Sequence, residues 1–501
     1  MDDLHILAAR TVMASFAEPS LPDWARRRLA DGLGGICLFG ENVTSRDGVR
    51  RLCTAIHKAA PEAIVSLDEE GGDVTRLYYR VGSPHVGHAA LGAVDDPALT
   101  RAVAEDIGGE LRHVGVDLDL APVADVNSNP LNPVIGVRSF GAEPDLVGRH
   151  VAAFVDGLQS VGVGACLKHF PGHGDTVADS HVALPVAEAT VDVLRRRDLA
   201  PFRSGVAAGA VAVMTTHVVV RALDPGRPAT FSAAATALLR AAVGEGGLGF
   251  EGLLVSDALD MQGASGDIGV PAAAVRALAA GVDLLCLGPA FSDGQVQAVV
   301  DAVVAAVRTG DLPEERLSEA AGRVSAASRR LEGLRSSARD QVPPDHRESV
   351  AAAGAAISVD GGLGSLDGAQ VVRFLSGANV AAGRVPWGLP PDGRILKGGR
   401  PLDLLEGDPL PDLDPDRPVV ALVRGGHRYA WVVAGLTTLA RRRPDLVVVE
   451  LGWPGPDRLP GRTVVHTYGA STVSAQALDD RLAGLCEDDA PVVPARGGEV
   501  S

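Results

Sequence analysis

The sequence has few cysteines and few aromatic residues: 5 of its 501 residues are cysteine and 4% are aromatic. The cysteines form no CxxC pair and several lie in apolar runs such as GGICLFG, which predicts reduced core thiols rather than disulfides. No stretch approaches the roughly 18 charge-poor apolar residues of a spanning helix. The N-terminal segment MDDLHILAARTVMASF carries acids where a signal peptide needs basic residues. We therefore expect a soluble, cytoplasmic protein with no membrane partner.

Positive charge is also scarce, since 46 Lys and Arg face 63 Asp and Glu, giving a formal net charge of −17. This charge would repel a phosphate backbone, so nucleic acid is excluded as an expected partner. The P-loop pattern GxxxxGK[ST] and repeats of solenoid length are absent as well. Hydrophobic residues make up 46% of the chain, and its length exceeds what one core usually organises, so we expect two domains.

From the start to about residue 335, short apolar runs alternate with helical patterns, as in βα repetition. Each run is followed by polar residues, among them DEEGG, APVADVN, KHFPGHGD and SDALDM. Parallel strands expose their C-terminal ends together, so in a barrel these loops would share one pocket, whereas an open sheet would gather fewer of them. Seven strands are predicted, one short of a closed eight: Gly35 to Phe39, Ala63 to Leu67, Val116 to Leu120, Val163 to Leu167, Val211 to Thr215, Gly252 to Val255 and Val282 to Leu287.

A second unit follows a polar, proline-containing break, QVPPDHRES. We expect residues 1–335 to form a (β/α)8 barrel, 336–365 a linker and seam, and 366–501 a smaller α/β sandwich. Helices are expected around Tyr429 to Arg443 and Ser471 to Ala483, and residues 381–417, rich in Pro, Gly and Asp, are expected to be loop. The predicted strands of this unit are Val371 to Leu375, Val419 to Val423, Leu446 to Glu450 and Thr463 to Thr467.

The densest set of chemically active side chains is KHFPGHGDTVADSH, from Lys168 to His181. Three hypotheses compete for it. Imidazoles and carboxylates could bind a metal, although the spacing is not HExxH. Alternatively, Asp179 could orient His181 for proton transfer. In the third hypothesis the histidines only hydrogen-bond the loop, but their clustering argues against that.

Three further segments carry candidate residues. Asp257 in GLLVSDALDM is either a helix N-cap or a nucleophile that attacks an anomeric carbon. Asp68 ends a strand and could accept two hydrogen bonds from sugar hydroxyls, with Arg76 nearby. The acids that follow Asp68 are expected to be a solvated charge run in a tight turn: Glu69, Glu70 and Asp73. Arg138 stands alone in the apolar stretch NPVIGVRSFG and needs a carboxylate or substrate as partner.

Taken together, these motifs resemble bacterial β-N-acetylglucosaminidases of glycoside hydrolase family 3. The DSH ending of KHFPGHGDTVADSH resembles the acid/base loop of that subgroup, VSDALDM its nucleophile segment, DEEGGDVTRL its first substrate loop and IGVRSFG its arginine loop. The resemblance covers the chain to about residue 335. It implies that Asp257 is the nucleophile, His181 the general acid/base and Asp179 its orienting partner. It also implies a sugar subsite lined by Asp68, Arg76, Arg138, Lys168, His169 and His217.

The resemblance further implies a retaining, exo-acting β-N-acetylhexosaminidase that needs no cofactor and acts on cell-wall fragments bearing terminal N-acetylglucosamine, as in peptidoglycan recycling. Three positions depart from the family pattern: Glu69 and Asp73 replace a common glutamine and arginine, and Val137 stands where some members have an acid. A glycoside phosphorylase is the nearest alternative, because a neutral histidine does not repel phosphate. A metal-dependent hydrolase and a non-catalytic sugar binder are more distant alternatives.

Overall fold

The computed structural model describes residues 2–177, 184–266, 268–338, 345–377 and 381–485. Its larger part is a barrel of eight parallel strands, ordered so that the last strand pairs with the first. A bridge between Val255 and Leu284 closes the remaining gap, so the predicted (β/α)8 barrel is confirmed. The strands are Val12–Ala14, Gly35–Cys37, Ile64–Leu67, Leu118–Asp119, Gly164–Phe170, Ala212–Thr215, Leu253–Val255 and Leu285–Cys286.

The strand that the sequence did not reveal is the first, Val12–Ala14. It has only three residues, all buried, and it follows the helix Asp3–Arg10 almost directly. Because one residue separates it from the helix, its apolar residues continue the helical pattern, and periodicity does not distinguish this strand from the end of the helix. Its identification completes the eight strands that the barrel requires.

Helices cover the outside of the barrel, and their ends follow from local sequence. The helix Pro97–Val114 is capped by Asp96, whose side chain accepts from the Ala98 and Leu99 amides, and is followed by Gly115 with a φ of 89°. An acidic cap, a proline at the first helical position and a left-handed glycine are the expected helix boundaries. The other α-helices of this part are Asp3–Arg10, Asp23–Ala30, Arg46–Ala59, His88–Val94, Pro144–Ser160, Val191–Val193, Leu199–Ala207, Ala233–Arg240, Gln262–Ser265, Val270–Ala279, Asp293–Thr309 and Glu314–Ser337.

Shorter elements lie between these helices and the strands. Leu194–Asp198 is a π-helical turn that runs into Leu199–Ala207, and a two-stranded parallel ribbon joins Val186–Ala187 to Val219–Val220. The 3-10 helices are Gly40–Asn42, Gly136–Arg138, Ala229–Phe231, Val243–Glu245 and Gly426–Arg428. No helix among the described residues is both long and apolar enough to cross a membrane.

The second part is a six-stranded sheet with helices packed on it, so the predicted α/β sandwich is confirmed. Its spatial order is Ser358–Asp360, Thr463–His466, Val447–Glu450, Val419–Val423, Gln370–Phe374 and Leu402–Leu404, and only the first pair is antiparallel. The four central strands match the predicted ones to within a residue or so. Both edge strands were missed, because each has three residues and shows little burial. The helices here are Arg347–Ala356, Ala430–Arg442 and Thr472–Leu482.

This second part packs against the loops at the C-terminal face of the barrel. The Ala470 amide donates to Asp73 Oδ1 at 2.8 Å, and the Thr472 amide donates to the Ser83 carbonyl at 2.9 Å. His427 Nε2 lies 3.0 Å from the Pro130 carbonyl oxygen. These contacts place the sandwich beside the face on which parallel barrels carry their polar loops.

Candidate active site

A cavity of about 500 Å³ opens at the C-terminal face of the barrel. Its wall is contributed by loops that follow most of the strands, as expected for a barrel of this type. Six of the residues proposed from the sequence line it: Asp68, Arg76, Arg138, Lys168, His169 and Asp257. These six side chains are far apart along the chain, and the barrel brings them into one pocket.

Asp68 lies between two cations on one side of the cavity. Lys168 Nζ donates to Asp68 Oδ1 at 2.6 Å, and Arg76 Nη2 donates to Asp68 Oδ2 at 3.0 Å. Burial alone would raise the pKa of this carboxyl, but Lys168 and Arg76 outweigh it and hold the pKa below its ordinary value. Asp68 is therefore ionised at neutral pH, with lone pairs available to accept hydrogen bonds from hydroxyl groups.

Glu70 is the carboxylate partner that Arg138 required. The guanidinium is bidentate, with Nε donating to Glu70 Oε2 at 3.0 Å and Nη2 to Oε1 at 2.8 Å. Lys168 Nζ also lies 2.6 Å from Glu70 Oε1. Burial would raise the pKa of Glu70, but the two cations lower it well below its ordinary range. The expectation that Glu70 is a solvated charge is wrong: this side chain is 2% exposed.

The other two acids assigned to that solvated run are also enclosed. Glu69 is fully buried and its Oε2 accepts from the Arg76 and Leu77 amides. Asp73 is 7% exposed and faces Arg424 and the Ala470 amide of the sandwich. The prediction of a solvated turn failed because consecutive charges such as those of DEEGG usually face solvent. In this protein the loop folds inward beneath the second domain.

Asp125 orients the start of the histidine-rich loop, a role that the sequence left unassigned although APVADVN follows a strand. His169 Nδ1 lies 2.7 Å from Asp125 Oδ2, and the His173 amide donates to Asp125 Oδ1 at 2.8 Å. Arg138 Nη2 lies 3.2 Å from His169 Nε2. Since arginine can only donate, His169 Nε2 accepts its hydrogen bond, and the protonated Nδ1 donates a hydrogen bond to Asp125. This tautomer fixes the ring orientation of His169 in the cavity wall.

The loop that carries these histidines lies directly on the loop after the fourth strand. A Cβ at Gly174 would come within 1.8 Å of the Val126 carbonyl oxygen, so only glycine permits this approach. Farther along, His173 Nδ1 lies 2.8 Å from Thr176 Oγ1, and burial lowers the pKa of His173 to about 4. The proposed acid/base pair, Asp179 and His181, lies outside the described residues.

Asp257 lines the cavity at the end of the seventh strand, with its Oδ1 accepting from the Ala258 amide at 2.8 Å. The peptide group that follows Asp257 is held in place by His217. His217 is fully buried, its Nε2 lies 3.0 Å from the Ala258 carbonyl oxygen and its Nδ1 lies 2.9 Å from Thr230 Oγ1. His217 is not among the residues that line the cavity, and its Nε2 contact is with the backbone that directly follows Asp257.

The sandwich domain completes the cavity wall. Ala381 and Gly383 line the cavity, and Arg76 Nη1 donates to the Ala381 carbonyl at 3.2 Å. Tyr79, another lining residue, would lie 2.9 Å from a Cβ placed at Gly383. This contribution was not predicted, because the Pro, Gly and Asp content of residues 381–417 indicates only a loop. The second domain therefore shapes the pocket as well as covering barrel surface.

Glu69 gives a prediction for the pH dependence of folding. Burial raises its pKa to about 7, above the value of about 4.3 for an unfolded chain. The folded state then holds this proton more tightly, so stability falls as pH rises from about 4.3 to about 7 and is constant above that. Between pH 4.5 and 7.5 this group should lower the free energy of unfolding by an amount on the order of 3 kcal/mol. We expect Glu69→Gln to abolish that decrease, measured by unfolding at the two pH values. The exposed control Glu315→Gln should show the same decrease as the wild type. A decrease of the same size in Glu69→Gln would contradict the raised pKa of Glu69.

Comparison with known proteins identifies the family. Residues 24–327 match the model of the N-terminal domain of glycosyl hydrolase family 3. Beta-hexosaminidase A of Pseudoalteromonas piscicida is 34% identical over 379 residues, which is 68% of this chain and 62% of that protein. The match therefore spans less than two thirds of that relative's own length. The beta-hexosaminidase of Stenotrophomonas maltophilia strain K279a is 39% identical over 286 residues, 55% of this chain and 82% of its own.

A solved structure covers both domains. The family 3 beta-N-acetylglucosaminidase from Paenibacillus sp. is 30% identical, covers 97% of this chain and 98% of its own, and superposes with a TM-score of 0.83. The sandwich domain is thus shared as well as the barrel. Since the family model matches more than half of the sequence and the fold agrees over nearly all of it, the chain belongs to glycosyl hydrolase family 3.

Proposed function

We propose that this chain is a retaining, exo-acting β-N-acetylhexosaminidase that releases terminal N-acetylglucosamine. The observation that carries the proposal is the gathering of Asp257 with a charged cluster in one cavity of about 500 Å³, which lies within the size range of small-molecule sites. That cluster offers both an ionised acceptor, Asp68, and cationic donors. The names of the relatives, beta-hexosaminidase and beta-N-acetylglucosaminidase, support the same activity.

The charged cluster supplies a sugar-binding wall in this proposal. Asp68 accepts from two sugar hydroxyls, while Lys168, Arg76 and Arg138 donate to sugar oxygens. Each of these donors already contacts a carboxylate of the cavity wall, so its position is fixed before the substrate arrives. His169 lies beside them, held by Asp125. Such preorganised groups bind without a further cost of ordering.

Asp257 is the proposed nucleophile. In the first step its carboxylate attacks the anomeric carbon while protonated His181 gives its proton to the departing glycosidic oxygen. A covalent glycosyl-enzyme results. In the second step neutral His181 takes a proton from water, which displaces Asp257 and restores the original anomeric configuration. His217 acts as a positioning residue here, because its Nε2 contacts the carbonyl oxygen of Ala258, the residue that follows Asp257.

Histidine suits both proton transfers. Its unperturbed pKa of about 6.5 allows the imidazole to donate in the first step and accept in the second near neutrality. Asp179, two residues earlier, orients the ring and supports its cationic form. The physiological substrate in this proposal is a peptidoglycan fragment with terminal N-acetylglucosamine, as the resemblance of the DSH loop implies.

Substrate preference tests the proposal. We expect the wild type to hydrolyse a chromogenic β-N-acetylglucosaminide with a kcat/KM about 100-fold or more above that for the matching β-glucoside. The reason is that a site that hydrogen-bonds the acetamido group discriminates against a sugar that lacks it. The assay is run with chelator, with and without phosphate, and the products are separated. Equal rates on the two sugars would contradict the proposal. A sugar phosphate as product would make the chain a phosphorylase instead.

A further inference from the structure

Away from the cavity, two histidines and a glutamate converge at the junction between the barrel and the sandwich. His85 comes from the loop after the third strand, Glu110 from the helix Pro97–Val114, and His346 directly precedes the helix Arg347–Ala356. One ligand atom from each of the three lies within 4.8 Å of the others. The proposed reaction uses none of these side chains, so their convergence needs a separate explanation.

The distances among these three residues approach those of a metal site. His85 Nε2 lies 3.2 Å from Glu110 Oε2, and His346 Nε2 lies 3.6 Å from Glu110 Oε1. Zinc binds nitrogen and carboxylate oxygen at about 2.0 to 2.2 Å, so its ligand atoms lie about 3.3 Å apart. Because the three ligand atoms lie within 4.8 Å of one another, a contraction of at most about 1.5 Å brings them onto one ion, with water or a further carboxylate as the fourth ligand.

The charges around the cluster favour a cation. Glu110 is 1% exposed, and one turn earlier on the same helix face Asp106 has a buried Oδ2 that accepts no hydrogen bond from the described residues. Arg46, whose Nη2 lies 2.8 Å from Glu110 Oε1, is the guanidinium paired with this site in the described part of the chain. The buried Glu110 and the partly buried Asp106 together carry more negative charge than Arg46 offsets in the described part of the chain, which leaves negative charge for a bound ion to neutralise.

An entry path also exists. Arg46 and His346 are 40% and 27% exposed, so an ion can reach Glu110 from solvent if the Arg46 side chain moves aside. Two further side chains contact the cluster: the Tyr78 hydroxyl lies 2.7 Å from Glu110 Oε1 and 2.8 Å from Oε2, and Ser349 Oγ lies 3.4 Å from His85 Nδ1. These contacts orient the carboxylate and the imidazole, as outer partners of metal ligands do.

We propose that His85, Glu110 and His346 form a zinc-type divalent cation site that joins the barrel to the first helix of the sandwich domain. The site is structural: binding fixes the helix Arg347–Ala356 against the helix Pro97–Val114. This inference is independent of the proposed hydrolase activity, since the cluster lies outside the catalytic cavity.

The competing explanation is a hydrogen-bonded cluster in which Arg46 permanently fills the cation position. The two explanations predict opposite effects of removing Arg46. In a zinc site the guanidinium competes with the ion, so Arg46→Gln tightens zinc binding by about tenfold or more. In a closed cluster the same variant only destabilises the fold and leaves zinc affinity unchanged.

Calorimetric titration of the full, chelator-stripped chain with zinc chloride tests the site, together with the thermal midpoint at each zinc concentration. His346→Ala should weaken binding by more than about 100-fold and abolish the zinc-dependent rise of the midpoint. His113→Ala, an exposed histidine at the end of the same helix as Glu110, is the matched control and should behave as wild type. Zinc binding unchanged by His346→Ala, or affinity unchanged by Arg46→Gln, would overturn the proposal.

Discussion

Replacing Asp257 with alanine is expected to lower kcat/KM on a chromogenic β-N-acetylglucosaminide by about 10⁴-fold or more, because the nucleophile and its covalent intermediate are both lost. The fold should be retained, since Asp257 lies at the cavity surface and its Oδ1 contact is to the amide of the next residue. Steady-state rates of the purified variant, with its thermal midpoint as a check of folding, provide the measurement.

A small anion distinguishes a lost nucleophile from a lost contact. Alanine leaves space beneath the anomeric carbon, so azide should restore turnover in Asp257→Ala and give the α-glycosyl azide. Asp260→Ala is the matched control, because Asp260 lines the same cavity three residues later. Azide should not change its rate or product. Equal rescue of both variants, or an undiminished Asp257→Ala, would contradict the assignment.

Removing Arg138 is expected to have the largest effect on stability. Arg138→Met leaves Glu70 buried with Lys168 as its remaining cation and deprives His169 Nε2 of its donor. Breaking a buried pair from one side costs about 3 to 5 kcal/mol. We therefore expect the free energy of unfolding in urea to fall by that amount, and sugar binding to weaken as the wall loosens.

A surface pair gives the comparison. Arg149 and Asp95 also form a bidentate pair, but both side chains are more than 40% exposed, and Arg149→Met should cost less than about 1 kcal/mol. In a double-mutant cycle, Glu70→Gln and Arg138→Met together should cost about 1 to 3 kcal/mol less than the sum of the two single changes. A loss in Arg138→Met no larger than in Arg149→Met would show that the buried pair does not stabilise the fold.

The barrel was predictable because buried parallel strands leave continuous apolar runs and the loops after them carry polar residues. Val12–Ala14 follows the helix Asp3–Arg10 after a single residue, so its apolar residues continue the helical pattern, and Leu402–Leu404 is mostly exposed, so it forms no apolar run. The two sheets were therefore predicted at their centres and missed at short or exposed strands. Contacts between the domains, such as the Ala470 amide with Asp73, depend on three-dimensional placement that periodicity does not encode.

The site was predicted best where a residue has no structural alternative. Arg138 in an apolar segment required a charged partner, and the structure supplies Glu70. The partner itself was missed, because a run of acids beside glycines is usually solvated and only the folded loop shows Glu70 to be buried. Asp125 was missed for a related reason: its role is to orient His169, and a contact between two loops leaves no mark in either sequence segment.

A covalent intermediate on Asp257 can be trapped and its position on the chain determined. A fluorinated N-acetylglucosaminyl fluoride slows the second step more than the first, so the glycosyl-enzyme should accumulate. Intact-mass measurement followed by peptide mapping should then show one added fluorosugar on the peptide containing Asp257, and none in Asp257→Ala. A label on another carboxylate, or turnover with inversion and no label, would contradict the account.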